Sequence, residues 1–380
     1  MLYDLTSTYF ECDLPEEEGL RRYGYSRDKR PACVQVVMAL IITPEGFPLA
    51  YEVMPGNTSD KTTLADFLKK IEAHYGKSER VWVMDRGIPT EETLEQMRQS
   101  DPPLFYLVGT PRGRLTALEK AFLGKPWEHA RESVSVKLLA QEGELYILAK
   151  SEGRLHKERA MRRRKLKRLW KRLHELQQQK LTRDQLLVKL GAAKEAGRAY
   201  FLVELRLPQD DEDLKANGFR FKLHNDKLRK VRRREGHYLL RSNLTQSDPA
   251  RLWQYYIPLT EIEQAFKELK GDLAIRPIYH QLDGRIEAHS FVAFVAYCLQ
   301  VTLKQRVRAL APGLTPRAVL DKFAAVHMVD VHLPTTDGRY LVLPRYTQPE
   351  KDLQLLLKQL QLKLPTQPSP KIKSCTSLTR

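Results

Sequence analysis

The chain has 380 residues, 42% of them hydrophobic, and sets 64 Lys and Arg against 47 Asp and Glu for a formal net charge of +17. A chain this long buries a large core, and so basic a field favours polyanions, nucleic acid first and an anionic membrane surface second. The four cysteines (Cys12, Cys33, Cys298, Cys375) are far apart with no CxxC pair, which excludes a disulfide framework and a structural zinc site; no uncharged apolar run reaches about 18 residues, and no basic-then-apolar leader opens the chain, so a cytoplasmic protein without a membrane span is expected.

Residues 2–10, LYDLTSTYF, are rich in β-formers and predict a strand from almost the first residue. Asp4 lies inside it. Asp is depleted in strands, so this one marks either an exposed edge or a site. A polar connection over 11–33 carries Arg27, Lys29 and Arg30. Then VQVVMALIIT (34–43) and FPLAYEVM (47–54) flank Thr43-Pro44-Glu45-Gly46, which reads as a hairpin turn. Ser59 or Asp60 of the GNTSD loop caps a helix over 61–75, whose Leu64, Phe67, Leu68 and Ile71 form an apolar face. VWVMD (81–85) is a short buried strand ending on Asp85, and RGIPTEETLEQM leads into a helix before the strand FYLVG (105–109). A right-handed crossover lays the strand of Asp85 parallel to that of Asp4, and open α/β sheets bind ligands beyond the carboxyl ends of their strands. Two carboxylates meeting there repel one another unless a cation sits between them.

Residues 111–250 read as an insertion that mixes short strands (133–139, 144–150) with a basic helical arm. Eleven Lys or Arg residues fall between Arg154 and Arg172, among them Arg162, Arg163, Arg164, Lys165, Lys167 and Arg168. Charge so dominantly of one sign points to phosphate contacts. Leu166, Leu169, Leu173 and Leu176 keep a 3-4-3 spacing, so the arm packs, against a second helix over 184–196. Strand character resumes over 220–244, where Lys230, Arg232, Arg233 and Arg234 precede Gly236 as a basic turn.

The stretch Tyr255–His280, YYIPLTEIEQAFKELKGDLAIRPIYH, has helical periodicity. Ile262, Phe266, Leu269 and Leu273 form one buried stripe, and Glu263, Lys267 and Lys270 share the neighbouring face. The helix is expected to stop near Arg276-Pro277, because the residue before a proline leaves the α region. Beyond it come a buried helix over 289–307, a hairpin over 329–344, a helix over 350–363 and a Pro/Ser/Lys-rich tail from Pro365, expected to be disordered.

The strand Asp of YDLTSTYFE, the run GYSRDKRP, the GNTSD loop, the strand-end VMDRG and the YYIPLTEIEQAFKELK…RPIYH stretch together resemble DDE transposases of bacterial insertion sequences. The resemblance is to the group with a Tyr-x2-Arg-x3-Glu-x6-Lys signature: Tyr256, Glu263 and Lys270 keep the spacing, and Leu259 stands where the signature has arginine. It spans roughly 1–300. The resemblance implies an α/β, RNase H-like (retroviral-integrase-like) mixed sheet flanked by helices, with a large insertion before the last catalytic helix. In those terms 1–110 and 251–310 are the two parts of the core, 111–250 the insertion, 311–364 a C-terminal hairpin and helix, and 365–380 a disordered tail.

The same resemblance implies that Asp4, Asp85 and Glu263 are the catalytic and metal-holding triad. Two Mg2+ ions, with Mn2+ as a substitute, would be their cofactors, and three carboxylates suit such hard cations better than His or Cys. Lys267, Lys270 and Tyr256 would contact the DNA backbone. The partners would be transposon ends and target DNA, the assembly on DNA a homodimer, and the location the cytoplasm, in association with the nucleoid. Members of the family ordinarily carry a site-specific DNA-binding region ahead of the first catalytic strand. This chain opens on that strand, so a truncated core with its own activity in question is expected. Two other readings fit the same residues: a non-catalytic DNA-binding remnant, and another RNase H-like nuclease.

Overall fold

The computed structural model describes residues 1–12, 19–76, 79–110, 112–179, 181–196, 199–207, 219–244 and 248–374. They fall into two compact units, one formed by Met1–Thr63 with Pro258–Arg380 and the other by Leu64–Ile257.

The first unit opens with β1 (Leu2–Tyr9), β2 (Gln35–Ile42) and β3 (Pro48–Pro55), an antiparallel sheet in the order β3-β2-β1. All eight residues of β2 are buried, as its unbroken apolar run requires of a strand covered on both faces. The turn between β2 and β3 is the expected hairpin. Gly46 takes φ +92, and the Thr43 N–H donates to the Phe47 carbonyl at 2.8 Å. The chain passes into the second unit within α1 (Asp60–Tyr75), whose Leu64, Phe67, Leu68 and Ile71 are all buried.

The second unit runs β4 (Val81–Met84), α2 (Glu91–Gln99), β5 (Phe105–Gly109), α3 (Arg112–Leu123), β6 (Glu128–Arg131), β7 (Val134–Gln141) and β8 (Glu144–Ser151). It continues through α4 (Glu152–Gln178), α5 (Arg183–Ala196), β9 (Val203–Arg206), β10 (Arg220–Leu223), α6 (Asn225–Arg234), β11 (His237–Ser242) and α7 (Pro249–Tyr256). Its sheet has the order β4-β5-β11-β8-β7-β6 and is mixed: β4 and β5 are parallel and the other pairings antiparallel. The expected pairing of α4 with α5 is present, with Leu169, Leu173 and Leu176 buried against Leu186 and Leu190. The stretch read as a basic turn is instead a helix, α6. Asn225-Asp226 opens it, Leu228 is its buried anchor, and Gly236 at φ +81 comes only after its end.

A buried ionic network ties this second sheet to its helices. The Glu144 carboxylate accepts from Arg98 Nη1 at 2.7 Å and also from Tyr106 and Arg241, and Arg241 Nη1 reaches both oxygens of Glu91 at 2.7 Å. Burial pushes the Tyr106 phenol well above its usual range, and the Glu144 charge beside it acts in the same direction.

The chain returns to the first unit with α8 (Leu259–Lys270) and α9 (Asp283–Leu310), then α10 (Pro316–Phe323), β12 (Met328–Pro334), β13 (Arg339–Tyr346), α11 (Lys351–Gln359) and β14 (Lys371–Ser374). Tyr255–Lys270 is therefore not one helix: Pro258 has no N–H to continue α7, and α8 starts anew at Leu259. Nor does α8 run to Arg276. It stops at Lys270, and Ala274 at φ +48 turns the chain back, so Ile275 rather than Leu273 completes the buried stripe. Part of the tail expected to be disordered is ordered, since β14 pairs antiparallel with β13; residues 375–380 lie outside the described residues.

Candidate active site and nucleic-acid surface

Asp4 stands in β1 opposite Leu40 of β2, half-buried between the buried Tyr3 and Leu5, and its Oδ1 accepts from the Leu5 N–H at 2.8 Å. In the same unit α8 packs on β1 through its apolar stripe. Burying Ile262, Ala265, Phe266 and Leu269 turns Glu263 and Lys267 outward, and both are exposed. The strand of Asp4 and the helix of Glu263 thus belong to one packed layer pair. The two other acids of α8 are engaged elsewhere: Glu261 pairs with Lys304 at 3.1 Å, and Glu268 is buried, accepting from Gln264 at 3.0 Å.

Asp85 belongs to the second unit. It follows the last residue of β4 and is exposed, and its carbonyl receives the Ile88 N–H in the turn that leads to α2. The neighbouring parallel strand β5 ends on Gly109. A Cβ there would stand 3.1 Å from the Arg86 nitrogen and 3.3 Å from Asp85 Oδ1, so this glycine leaves room for the carboxylate. Among the described residues no three His, Cys, Asp or Glu side chains are gathered as a ready-made metal cage. The donor chemistry of Asp4, Asp85 and Glu263 nonetheless fits a hard divalent cation, because all three offer carboxylate oxygens.

Lys270, the last residue of α8, is drawn inward. Its Nζ donates to Asp28 Oδ1 at 2.7 Å, and Arg276 pairs with the same oxygen. Burial pushes the Lys270 ammonium below its usual range, while the Asp28 charge opposes that shift. Sequence reasoning missed both Asp28 and Arg276. The only available signal was the cluster of charges in GYSRDKRP, which has no period to show which of its members turns inward.

In the second unit Tyr256 ends α7 half-buried, with its ring 5.8 Å from Trp253 and 6.3 Å from Tyr238. The Arg154 guanidinium lies 3.7 Å over the Tyr238 ring. Along α4, Arg163, Arg164, Lys165, Lys167 and Arg168 are exposed. Arg162 is not: its Nε and Nη2 donate to the two oxygens of buried Glu235 at 2.5 and 3.2 Å. Five of the six arm residues singled out from the sequence therefore face solvent, and the sixth ties α4 to the end of α6. That second helix adds exposed Lys227, Lys230, Arg232 and Arg233.

Comparison with known proteins gives the family: residues 11–299 match the family model described as the transposase DDE domain, and the chain belongs to that family. The matched span includes Asp85 and Glu263 and begins after Asp4. No curated protein matches the chain. Among solved structures, a cryo-EM structure of a piggyBac transposase synaptic complex with hairpin DNA is similar at 6% identity and a TM-score of 0.42; the similarity covers 81% of this chain and 47%, about half, of that one.

Proposed function

We propose that the chain is the catalytic core of a transposase that cleaves DNA phosphodiesters at the ends of an insertion sequence and joins them to target DNA. Membership of the transposase DDE domain family supports this reading. The observation that carries it is the packing of α8 on β1, which sets Asp4 and Glu263 in one layer pair while Glu261 and Glu268 are committed elsewhere. Asp4, Asp85 and Glu263 would hold Mg2+, or Mn2+ in its place, on an RNase H-like core. Bound there, such ions would supply Lewis-acid activation of the attacking oxygen, water in cleavage and a 3′-OH in joining, and charge stabilisation of the leaving one. The protein's own side chains position the DNA. Lys267 and Lys270 offset phosphate charge next to Glu263, Tyr256 adds a backbone contact, and Arg163, Arg164, Lys165, Lys167 and Arg168 bind DNA phosphates.

The test uses the purified protein with a supercoiled plasmid carrying the DNA that flanks its gene, with and without Mg2+. Metal-dependent cutting followed by strand joining is the expected result, and cutting without joining would make the chain a nuclease instead. Asp85→Asn should abolish cutting with the unfolding midpoint unchanged. Lys270→Ala should weaken DNA binding and slow cutting, yet leave Mn2+ binding followed by electron paramagnetic resonance unchanged. If Asp85→Asn cut and joined DNA as well as the parent, this reading would be wrong.

A further inference from the structure

Leu259 leaves α8 without the guanidinium that the Tyr-Arg-Glu-Lys signature places one turn ahead of Glu263, and the fold brings another to the far end of the same helix. After Lys270 the backbone closes tightly. The Gly271 N–H donates to the Lys267 carbonyl at 2.9 Å, and the Ile275 N–H to the Leu269 carbonyl at 3.0 Å. With Ala274 at φ +48 the chain doubles back, and buried Ile275 fixes it there. Arg276, six positions past Lys270, thereby arrives at the same carboxylate oxygen as Lys270.

That carboxylate is built in. The Asp28 side chain is only 5% exposed. Its loop is stapled to β1 by the Arg27 N–H, which donates to Ser7 Oγ at 3.2 Å, and it is closed on itself by the Arg30 N–H to Ser26 Oγ at 3.0 Å. The contrast with Arg162 and Glu235 is informative. There the two oxygens are shared out, each accepting from a different nitrogen of Arg162, with Arg159 Nε 3.8 Å from Oε2. At Asp28 two cations share Oδ1, while Oδ2 is buried with no hydrogen-bond partner. One negative charge thus gathers two positive ones, and the cluster keeps a net positive charge. Arg276 pairs with Asp28 through Nη1, and a third of its side chain is exposed, so its guanidinium, which carries five N–H donors, can reach another acceptor.

We propose that Lys270 and Arg276 form a two-cation site for a DNA backbone phosphate, that Arg276 supplies the guanidinium missing at Leu259, and that Asp28 is the positioning residue that holds the two cations side by side. This rests on the reading of the chain as a DNA-processing transposase. A planar guanidinium and an ammonium converging from one anchor suit a phosphate, which accepts from both at once.

The test measures binding of a fluorescently labelled duplex by anisotropy, without divalent metal, over a series of KCl concentrations, with circular-dichroism melts alongside. Arg276→Gln should weaken binding and flatten the slope of log K against log[salt] by about 0.9, the effect of one phosphate left unneutralised. Arg276→Lys should keep the slope. Leu259→Arg placed in the Arg276→Gln protein should restore both the slope and, with Mg2+ added, cutting; rescue from a separate turn of the helix is something a purely structural Arg276 would not show. Asp28→Asn keeps both cations, so the slope should persist while cutting falls; a slope flattened by about 1.8, the effect of both cations together, would make Asp28 no more than a fold anchor. A parent that binds DNA while Arg276→Gln leaves slope and cutting unchanged overturns the inference alone. A parent with no affinity for DNA at any salt overturns the transposase reading together with it.

Discussion

Replacing Glu144 by Gln should destabilise the second unit by about 3 kcal/mol. The Glu144 side chain is 3% exposed and that of Arg241 beside it 6%, so the substitution strands a buried guanidinium rather than trimming a surface pair. Removing one partner of a buried ion pair costs about 3–5 kcal/mol. The lower end applies here because Arg241 keeps the Glu91 carboxylate at 2.7 Å and Arg98 keeps Glu95. The assay is specific to this unit, since all four tryptophans, Trp82, Trp127, Trp170 and Trp253, lie within Leu64–Ile257. Urea unfolding followed by tryptophan fluorescence therefore reports the second unit alone. With an m-value of about 2 kcal/mol per molar urea, the midpoint should fall by about 1.5 M. Glu95→Gln, on the exposed rim of the same network, is the control and should move the midpoint little. A Glu144→Gln midpoint within about 0.2 M of the parent's would refute the argument that the network holds β5, β8 and β11 to α2.

Replacing Arg163, Arg164, Lys165, Lys167 and Arg168 together by Gln should flatten the salt dependence of DNA binding by about 0.9 for each phosphate no longer neutralised, read from the same anisotropy titrations; an unchanged slope would return the arm to a solvated face. Arg162→Gln should instead lower the tryptophan-monitored midpoint and leave the slope alone, because its charge is spent on Glu235. Burial holds the His237 imidazole below its usual 6.5, so folding favours the neutral ring. The stability this gives is present above pH 6.5 and lost as pH falls through the folded value. His237→Gln should remove that sag from the pH dependence of the urea midpoint between about pH 7 and pH 5, and a sag that survives would place its source elsewhere.

Much of the layout is legible in the sequence because it rests on local periods. β1 to β5, α1, α2 and the α4–α5 pair all announce themselves by runs of β-formers or by i, i+3, i+4 apolar spacing. The departures fall where tertiary context overrides local signals. Lys230–Arg234 reads as a turn because Gly236 follows so closely, yet Leu228 buried in the second unit holds the segment helical. The end of α8 is hidden because the residue at positive φ is Ala274, and alanine gives no hint of the left-handed region that Gly271, three positions earlier, would have accommodated at less cost. Asp28 and Arg276 cannot be paired from the sequence, since only that turn brings residues 28 and 276 to one place.

Three acids of this chain show what the fold does with a buried carboxylate. Glu144, Glu235 and Asp28 are each nearly buried, and each has two cations within reach. Such carboxylates are held by the fold, because a buried anion persists only with compensating charge. Asp85 and Glu263 are the opposite case. Both are exposed, and among the described residues neither has an ion pair, although Lys and Arg outnumber Asp and Glu by 64 to 47. On α8 the comparison is internal: Glu261 takes Lys304, Glu268 is buried and accepts from Gln264, and Glu263 is exposed with no ion pair among the described residues. An acid kept open in that way retains both oxygens for an incoming divalent ion, which is the property the proposed role of Glu263 requires.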